Sequence, residues 1–449
     1  MSSTAAPRAV GQDHLWSVAE HLEDVLATVR VLDPIELNLL DAQGCVLVED
    51  VAVPLSLPPF DNSSMDGYAV RVADVAGAGE TYPAVLTVVG DVAAGQARQP
   101  TVGPGQAARI MTGAPLPPGA QAVVPVEWTD GGLGGGPVSG MRAHSAAPEG
   151  ASGEVRVYRP VDSGAHVRAR GSDVRTGDRA LEAGTVLGPP QIALLAAIGR
   201  STVRVRPRPR VVVLSTGSEL VQPGEDLRPG QIHDANSYAL TAAARDAGAI
   251  AYRVGAVADD ADTLRATIED QLVRADLLVT SGGVSVGAYD VVKEALSAVG
   301  ATEDGADGPA GGAGVEFRRI AMQPGKPQGF GTVGPDHTPL LALPGNPVSA
   351  YVSFELFARP AIRTLGGLPD VHRPTVTAEL RAERPLTSPA GRRQFLRGTY
   401  DAKKGVVTPV GGAGSHLVAA LAHADALIVV PEDTVSVAPG SAVETILLG

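Results

Sequence analysis

Val279-Thr280-Ser281-Gly282-Gly283-Val284-Ser285-Val286-Gly287 is the stretch on which the reading of this chain turns. A charged, helix-like run from Asp259 to Arg274 precedes it, and Leu277, Leu278 and Val279 read as a buried strand. After Asp290 a helical pattern begins, with Val291, Val292, Ala295, Leu296 and Val299. Strand, Gly/Ser turn, helix is the layout in which backbone N–H groups and a helix N-terminus meet an anion. The glycines allow a close approach of the backbone, and Ser281 and Ser285 add hydroxyl donors. Alone, such a turn is equally an ordinary strand-to-helix connection.

Outward from this stretch the same rhythm repeats. Strands are expected at Val211–Leu214, Ile250–Val257, Leu277–Val279, Phe317–Met322 and Leu340–Leu343. Helices are expected at Asn236–Ala247, 259–274, 290–299 and Pro347–Phe357. This alternation predicts a parallel sheet flanked by helices, with ligands at the carboxyl ends of the strands. Residues 301–314 are rich in Gly, Ala and Asp and read as a loop.

The flanks have a different texture. Residues 14–30 carry apolar positions at helical spacing, followed by a short helix at Leu37–Leu40 and a strand at Cys45–Val48. From 59 to 160, short β-like runs separated by Gly/Pro turns predict a mostly β module, with Gly131–Pro137 as a hairpin tip. Residues 191–198 look helical, and the Pro-broken run Arg204–Arg210 reads as a linker with solvated charges. Short β-like runs return from 371 and predict a small all-β unit at the C-terminal side.

Length and composition narrow the function. A chain of 449 residues calls for two to four domains. Aromatics are only 4%, so the cores must be aliphatic. The net charge of −13 argues against a nucleic-acid binder working through bulk electrostatics. The single cysteine, Cys45, rules out an intrachain disulfide and a zinc–thiolate cluster. There is no apolar leader and no membrane-length apolar run, so a soluble cytoplasmic protein without a membrane partner is expected.

Four polar loops follow the predicted strands: Ser215-Thr216-Gly217-Ser218-Glu219-Leu220, the Val279–Gly287 turn, Gln323-Pro324-Gly325-Lys326-Pro327, and Leu343-Pro344-Gly345-Asn346-Pro347-Val348-Ser349. By the strand-end rule they should gather around one crevice. Hydroxyls, backbone donors, one lysine and carboxylates suit a phosphate-bearing ligand with a divalent cation. Lys326, held between Gly325 and Pro327, favours anion binding over a free surface position. Glu219 and Asp290 read either as site carboxylates or as helix-start carboxylates that satisfy N–H groups. The nine histidines lack metal-ligand spacing, and no Ser-His-Asp order is apparent.

Read in order, these motifs resemble the molybdopterin molybdenumtransferases, the MoeA family that includes the gephyrin E domain. The resemblance runs from about residue 15 to the end. It is carried by Pro59–Val70, Arg109–Pro115, Ser215–Leu220, Gly230–Asn236, Ser281–Gly287, Pro324–Pro327, Leu343–Ala350 and Gly414-Ser415-His416. It implies a multidomain α/β plus β fold in four domains. These are a discontinuous helical/β connector (10–58 and 161–207), a β-rich insertion (59–160), an α/β molybdopterin-binding domain (208–370) and a C-terminal β-barrel (371–449). It also implies a homodimer whose composite site lies between the α/β domain of one subunit and the insertion of the other. The implied reaction hydrolyses adenylylated molybdopterin, releases AMP and ligates molybdate to the dithiolene, with a divalent cation, usually Mg2+. The molybdopterin adenylyltransferase is an implied partner.

The resemblance assigns Asp66 and Thr112 to the insertion side of the site, and Glu219, Asp259 and Asp290 to the carboxylate positions of the α/β side. Asp66, Glu219 and Asp259 carry the catalytic assignment, and Glu219 and Asp259 the cation. Ser215, Thr216, Ser281, Gly282, Gly283, Ser285, Lys326 and Ser415 are substrate-binding positions, and Pro344, Asn346 and Pro347 shape the loop near molybdate. Departures from the family pattern fall at Ser218, Ser172 and Ala288, where acidic residues are common, and at Arg319 and Gln323, where some members have lysine. Alternatives are a tungsten-inserting paralogue and a non-catalytic molybdopterin-binding scaffold; retained Asp66 and Glu219 disfavour the scaffold. A dinucleotide enzyme fits the βαβ rhythm but lacks a GxGxxG with its downstream acid.

Overall fold

The computed structural model describes residues 14–95, 99–142, 152–258, 260–283, 295 and 314–449. The Val284–Gly287 half of the glycine turn, Ser285, Asp290 and Asp259 lie outside the described residues, as does nearly all of the expected helix at 290–299.

Seven strands form the largest sheet: β1 (Leu15–Trp16), β2 (Arg210–Thr216), β3 (Ile250–Val257), β4 (Leu277–Ser281), β5 (Gly314–Ile320), β6 (Pro327–Val333) and β7 (Thr338–Leu343). Their spatial order is β1-β5-β6-β7-β4-β2-β3. The block β7-β4-β2-β3 is parallel, as expected. Alternate residues supply the two faces. Val211, Val213, Leu277, Val279 and Leu341 enter one apolar core, and Val212, Leu214, Leu278 and Leu340 enter the other. Burial on both faces is why these strands read as unbroken aliphatic runs.

β6 departs from the expected alternation. It runs antiparallel to both β5 and β7, so β5, β6 and β7 form a meander rather than a helix-bridged crossover. Its glycines hid it from the apolar pattern. A Cβ on Gly331 would fall 1.9 Å from the Gly314 carbonyl oxygen, so the strand pair needs glycine there. Because β6 reverses, β5 points the same way as the parallel block. The ends of β2, β4, β5 and β7 therefore open onto one edge.

The N-terminal helix is shorter than the apolar spacing suggests. Ser17 and Glu20 form a capping box, so α1 spans Val18–Thr28 and Leu15–Trp16 join the sheet beside β5. Buried Arg318 on β5 locks this contact, lying 4.1 Å from the Trp16 ring and 2.5 Å from Asp24. Further along are α2 (Asn236–Asp246), α3 (Ala261–Leu272, capped by Asp260) and α4 (Pro347–Ser353), the last continuing through a π turn at Phe354–Ala358 into α5 (Arg359–Leu365).

Two connector expectations need correction. Residues 37–40 are not helical: Ile35–Asn38 is a strand, paired with Thr202–Arg206. The presumed linker is thus partly the middle strand of a three-stranded sheet, with Val203 and Val205 facing its core. Its arginines are engaged as well. Arg206 donates to the Leu32 carbonyl at 2.9 Å, Arg208 to those of Gly248 and Ala249 at 2.9 and 2.8 Å, and Arg210 pairs with Asp276 at 2.7 Å.

The insertion is a five-stranded sheet of Gly153–Val157, Ala84–Val92, Gln106–Ile110, Gly67–Val70 and Ala122–Pro125 in that order. Near the C-terminus, Thr375–Leu380, Arg393–Asp401, Val406–Pro409, Ala426–Val430 and Ala442–Leu447 close into a barrel, because Arg393–Asp401 pairs with both Val406–Pro409 and Ala426–Val430. Met322–Gln323 adds in parallel to Arg393–Gln394, joining the barrel to the end of β5. Among the described residues no helix is long and apolar enough to cross a membrane.

His21 on α1 is fully buried, edge-on to Phe357 at 4.6 Å, with neither ring nitrogen hydrogen-bonded to any of the described residues. Burial, reinforced by nearby Arg318, lowers its pKa to about 3. Below its ordinary value near 6.5 the unfolded chain takes up a proton that the native imidazole refuses, so stability falls as pH falls. Between pH 7.5 and pH 5 this site should remove about 2 kcal/mol. Chemical denaturation at the two pH values should show that loss in the wild type and its disappearance in His21→Leu; equal losses would contradict a neutral buried imidazole.

Candidate active-site cleft

The carboxyl-end loops enclose a cleft of about 990 Å³. Its walls come from the Thr216–Leu220 loop, the Ile232–Asn236 segment, Ser281–Gly283, Gln323–Pro327, the Pro344–Pro347 turn and Ala413–His416 of the barrel. The described parts of all four loops expected to converge do so, and two further segments join them, Ile232–Asn236 and, from the C-terminal barrel, Ala413–His416.

The floor is set by close backbone approach. Gly282 has φ +103°, and a Cβ there would lie 2.3 Å from the Thr216 carbonyl oxygen. A Cβ on Gly345 would lie 3.3 Å from the Gly282 Cα. Three loops therefore meet at glycines, as an anion cradle built from backbone requires. Asn236 fastens them: its amide nitrogen donates to Ser281 Oγ at 2.8 Å and to the Gly345 carbonyl at 2.7 Å. Ser281 Oγ in turn donates to the Pro344 carbonyl at 3.1 Å. The amino ends of α2 and α4 border the cleft through Asn236 and Pro347, adding two favourable dipoles for an anion.

The expected residues that are described divide between the cleft, the layer beneath it and the insertion. Thr216, Glu219, Ser281, Gly282, Gly283, Lys326, Pro344, Asn346, Pro347 and Ser415 line the cleft. Thr216 is buried, and its hydroxyl has no hydrogen-bond partner among the described residues. Glu219 is exposed, and its carboxylate lies over Gly217, where a Cβ would come within 2.7 Å of Oε2. Lys326 is half-buried and is the sole Lys or Arg among the described lining residues. Ser215 lies beneath the cleft instead: it is fully buried and donates its hydroxyl to Asp234 at 2.9 Å.

Asp66 and Thr112 do not line this cleft. They sit together on the insertion, where Asp66 Oδ1 accepts the Thr112 backbone N–H at 2.7 Å and its hydroxyl at 2.8 Å. Both side chains are exposed.

Several site residues were not singled out from the sequence. Asp234 is fully buried and accepts from Ser215, from the Ser237 N–H at 3.0 Å and from the Ser237 hydroxyl. Asn236 holds the loops, and His233 and His416 line the walls. The only sequence signal was their place in the Gly230–Asn236 and Gly414–His416 motifs. Arg397 on the barrel is also buried; it donates to the Gly412 carbonyl beneath the Ala413–His416 loop. That loop is tied to α4, because the Ser415 carbonyl accepts the Val348 N–H at 3.0 Å.

A mixed α/β sheet with a glycine cradle, a lysine and two helix amino ends at its carboxyl edge defines a protein built to bind a phosphate or related oxyanion at that edge. Comparison with known proteins narrows the class. Residues 16–199 match the MoeA N-terminal region (domain I and II), 212–364 the probable molybdopterin binding domain, and 379–448 the MoeA C-terminal region (domain IV). Molybdopterin molybdenumtransferase 2 of Mycobacterium tuberculosis is 47% identical over 95% of this chain and 98% of its own length. Molybdopterin molybdenumtransferase 1 of the same organism is 40% identical over 96% and 99%. A crystal structure described as the molybdopterin biosynthesis MoeA protein from Pyrococcus horikoshii superposes with a TM-score of 0.70 at 32% identity, covering 97% of this chain and 100% of that one. The chain belongs to the molybdopterin molybdenumtransferase (MoeA) family.

Asn236→Ala should leave the sheet intact but release two of the three loops. Loss of two hydrogen bonds, one part-buried and one exposed, predicts destabilisation of about 1–2 kcal/mol. Amide hydrogen exchange should quicken at Ser281–Gly283 and Gly345–Asn346; unchanged exchange at both turns would contradict the fastening role.

Proposed function

We propose that this protein is a transferase that inserts molybdenum into molybdopterin in molybdenum cofactor biosynthesis, with adenylylated molybdopterin and molybdate as substrates and AMP as the leaving product. The observation that carries the proposal is the convergence of the Thr216, Ser281, Lys326, Asn346 and Ser415 loops on one cleft. Family membership supplies the substrate class. The close-packed glycine turn at Gly282 and Gly283 leaves room for a phosphate beside the amino ends of α2 and α4, and Lys326 with the Ser415 loop suits a tetrahedral oxyanion. Thr216 offers a hydroxyl that has no partner among the described residues. Arg397, held under the Gly412 carbonyl, fixes the height of the Ser415 wall and contributes positive potential behind it.

The donor set fits a divalent cation of the magnesium type. Among the described residues no three His, Cys, Asp or Glu side chains converge on a metal position. Mg2+ does not need such a cage, because it commonly takes one or two carboxylates and completes its shell with substrate phosphates and water. Glu219 is the exposed cleft carboxylate that would hold it, with Asp259 as the second proposed ligand. When bound, the cation neutralises charge on the pyrophosphate. Asp234 is not a candidate, since serine donors already occupy both of its oxygens.

Asp66 and Thr112 enter through assembly. The working unit is proposed to be a homodimer in which the partner's insertion brings this pair to the cleft. The pair is exposed and prearranged, with both Thr112 donors on a single oxygen of Asp66. The proposed division is four domains at 10–58 with 161–207, 59–160, 208–370 and 371–449; separate apolar clusters from Ala42 onward in the connector, in the insertion and in the barrel support it, while Val18, Val25 and Val29 of α1 pack into the α/β core. A cytoplasmic setting, and receipt of the labile substrate from the molybdopterin adenylyltransferase, complete the proposal.

Incubation with adenylylated molybdopterin, molybdate and Mg2+ should release AMP and yield molybdenum cofactor. AMP release with no metal incorporated from either molybdate or tungstate would overturn the transferase reading. Glu219→Gln should remove most turnover with the fold unchanged; full turnover would make Glu219 a turn residue only. Inactive Asp66→Ala and Glu219→Ala subunits, mixed and allowed to exchange, should recover about one-quarter of wild-type activity, since random exchange gives about half heterodimers with one intact site each. No recovery despite exchange would place both residues within one subunit's site.

A further inference from the structure

The glycine-rich span Gly131–Arg142 of the insertion forms neither helix nor strand, yet it is tied down along its length. Buried Asp130 accepts the Gly132 N–H at 2.9 Å through its carboxylate and the Leu133 N–H at 3.2 Å through its carbonyl. The Val138 N–H bonds the Thr129 carbonyl at 3.0 Å, and the Tyr158 hydroxyl donates to the Gly135 carbonyl. At the far end the Arg142 carbonyl accepts Arg109 Nη2. A span this rich in glycine holds one shape because so many of its backbone groups are engaged. Between it and the insertion sheet lies a cavity of about 390 Å³, and no residue lines both this cavity and the cleft.

The base of the cavity is polar. Tyr68 and Arg109 are register partners on neighbouring antiparallel strands, so they project from one face, and each is only 1% exposed. Burial pushes the Tyr68 pKa up to about 12, so its hydroxyl stays protonated. Arg109 Nε lies 3.9 Å from the Asp91 carboxylate, behind the cavity. The walls are apolar, with Val126, Val138 and Met141, and the rim carries exposed Leu133, Ser139 and Arg142. No Asp or Glu is among the described lining residues. A void left by imperfect packing is lined by apolar groups alone, whereas this one ends on a buried guanidinium. Its volume falls near the lower end of small-molecule sites.

We infer that this cavity is a second small-molecule site, separate from the transferase cleft, that takes a small amphipathic carboxylate with Arg109 as its anion anchor. The guanidinium fork matches the two oxygens of a carboxylate, and the Tyr68 hydroxyl adds a donor at the same base. The apolar walls require an apolar body behind the charge. Arg142 at the rim adds a second positive charge and favours entry of an anion. The site stands or falls independently of the reaction proposed above, since it shares no residue with the cleft.

The test is calorimetric titration of the full-length protein with 3-phenylpropanoate, its neutral amide 3-phenylpropanamide, and propanoate. The aromatic acid should bind at least about tenfold more tightly than the amide, which lacks the charge, and than propanoate, which lacks the apolar body. In its complex, amide hydrogen exchange should slow across residues 131–142 and stay unchanged at Gly282 and Asn346. Arg109→Gln should abolish the preference for acid over amide. Should Arg109→Gln fail to unfold cooperatively, Gly140→Leu must weaken acid and amide alike by about tenfold, because it adds bulk at a lining position where a Cβ meets no atom within 4 Å. Equal binding of acid and amide would leave a water-filled void and overturn the site. Protection at the cleft turns in place of 131–142, a preference that survives Arg109→Gln, or undiminished affinity in Gly140→Leu would overturn it as well.

Discussion

Gly282 sits where the Thr216 and Gly345 loops close on it, and a single Cβ there would meet a carbonyl oxygen at 2.3 Å. This contact is the constraint on which the site depends. It lets the ends of β2, β4 and β7 share one floor. Asn236 then holds the glycine turns with two bonds from one amide nitrogen. Buried Asp234 holds the base of α2 by accepting Ser215 and Ser237. The cleft floor is thus set by backbone contacts, and the side chains beneath it act as clamps.

The reversal at β6 extends the same floor. Without it β5 would run against the parallel block, and the Gln323–Pro327 turn would emerge on the opposite edge from the cradle. With it, Lys326 reaches the cleft and Met322–Gln323 pairs with the barrel strand at Arg393–Gln394. The barrel is therefore not an appendage. Its Ala413–His416 loop forms a wall of the cleft, braced by Arg397 from below and by the Val348 N–H from the side.

Much of this was legible in the sequence, and the limits have physical causes. Val211–Leu214 and Leu277–Val279 read as strands because burial on both faces demands an aliphatic run. Convergence of the loops followed from strand direction alone. The strand Pro327–Val333 was not legible, since Gly329 and Gly331 are dictated by neighbouring atoms and not by local periodicity. Ile35–Asn38 and Thr202–Arg206 were misread because their pairing spans more than 160 residues, and partner identity is invisible to a local window. Arginines 206, 208 and 210 looked solvated, yet they bind carbonyls and a carboxylate across elements. Ser215 shows the converse: position in a motif predicted a ligand contact, and the hydroxyl serves Asp234 instead.

The central claim is that one continuous cleft carries the metal oxyanion at its Lys326 end. Anomalous diffraction from crystals soaked in tungstate tests this most directly, because the heavy atom reports its own position. The account predicts a peak in the cleft beside Lys326 and the Ser415 loop, and its loss in Lys326→Met crystals. A peak away from this cleft, or one that persists undiminished without the lysine, would contradict it.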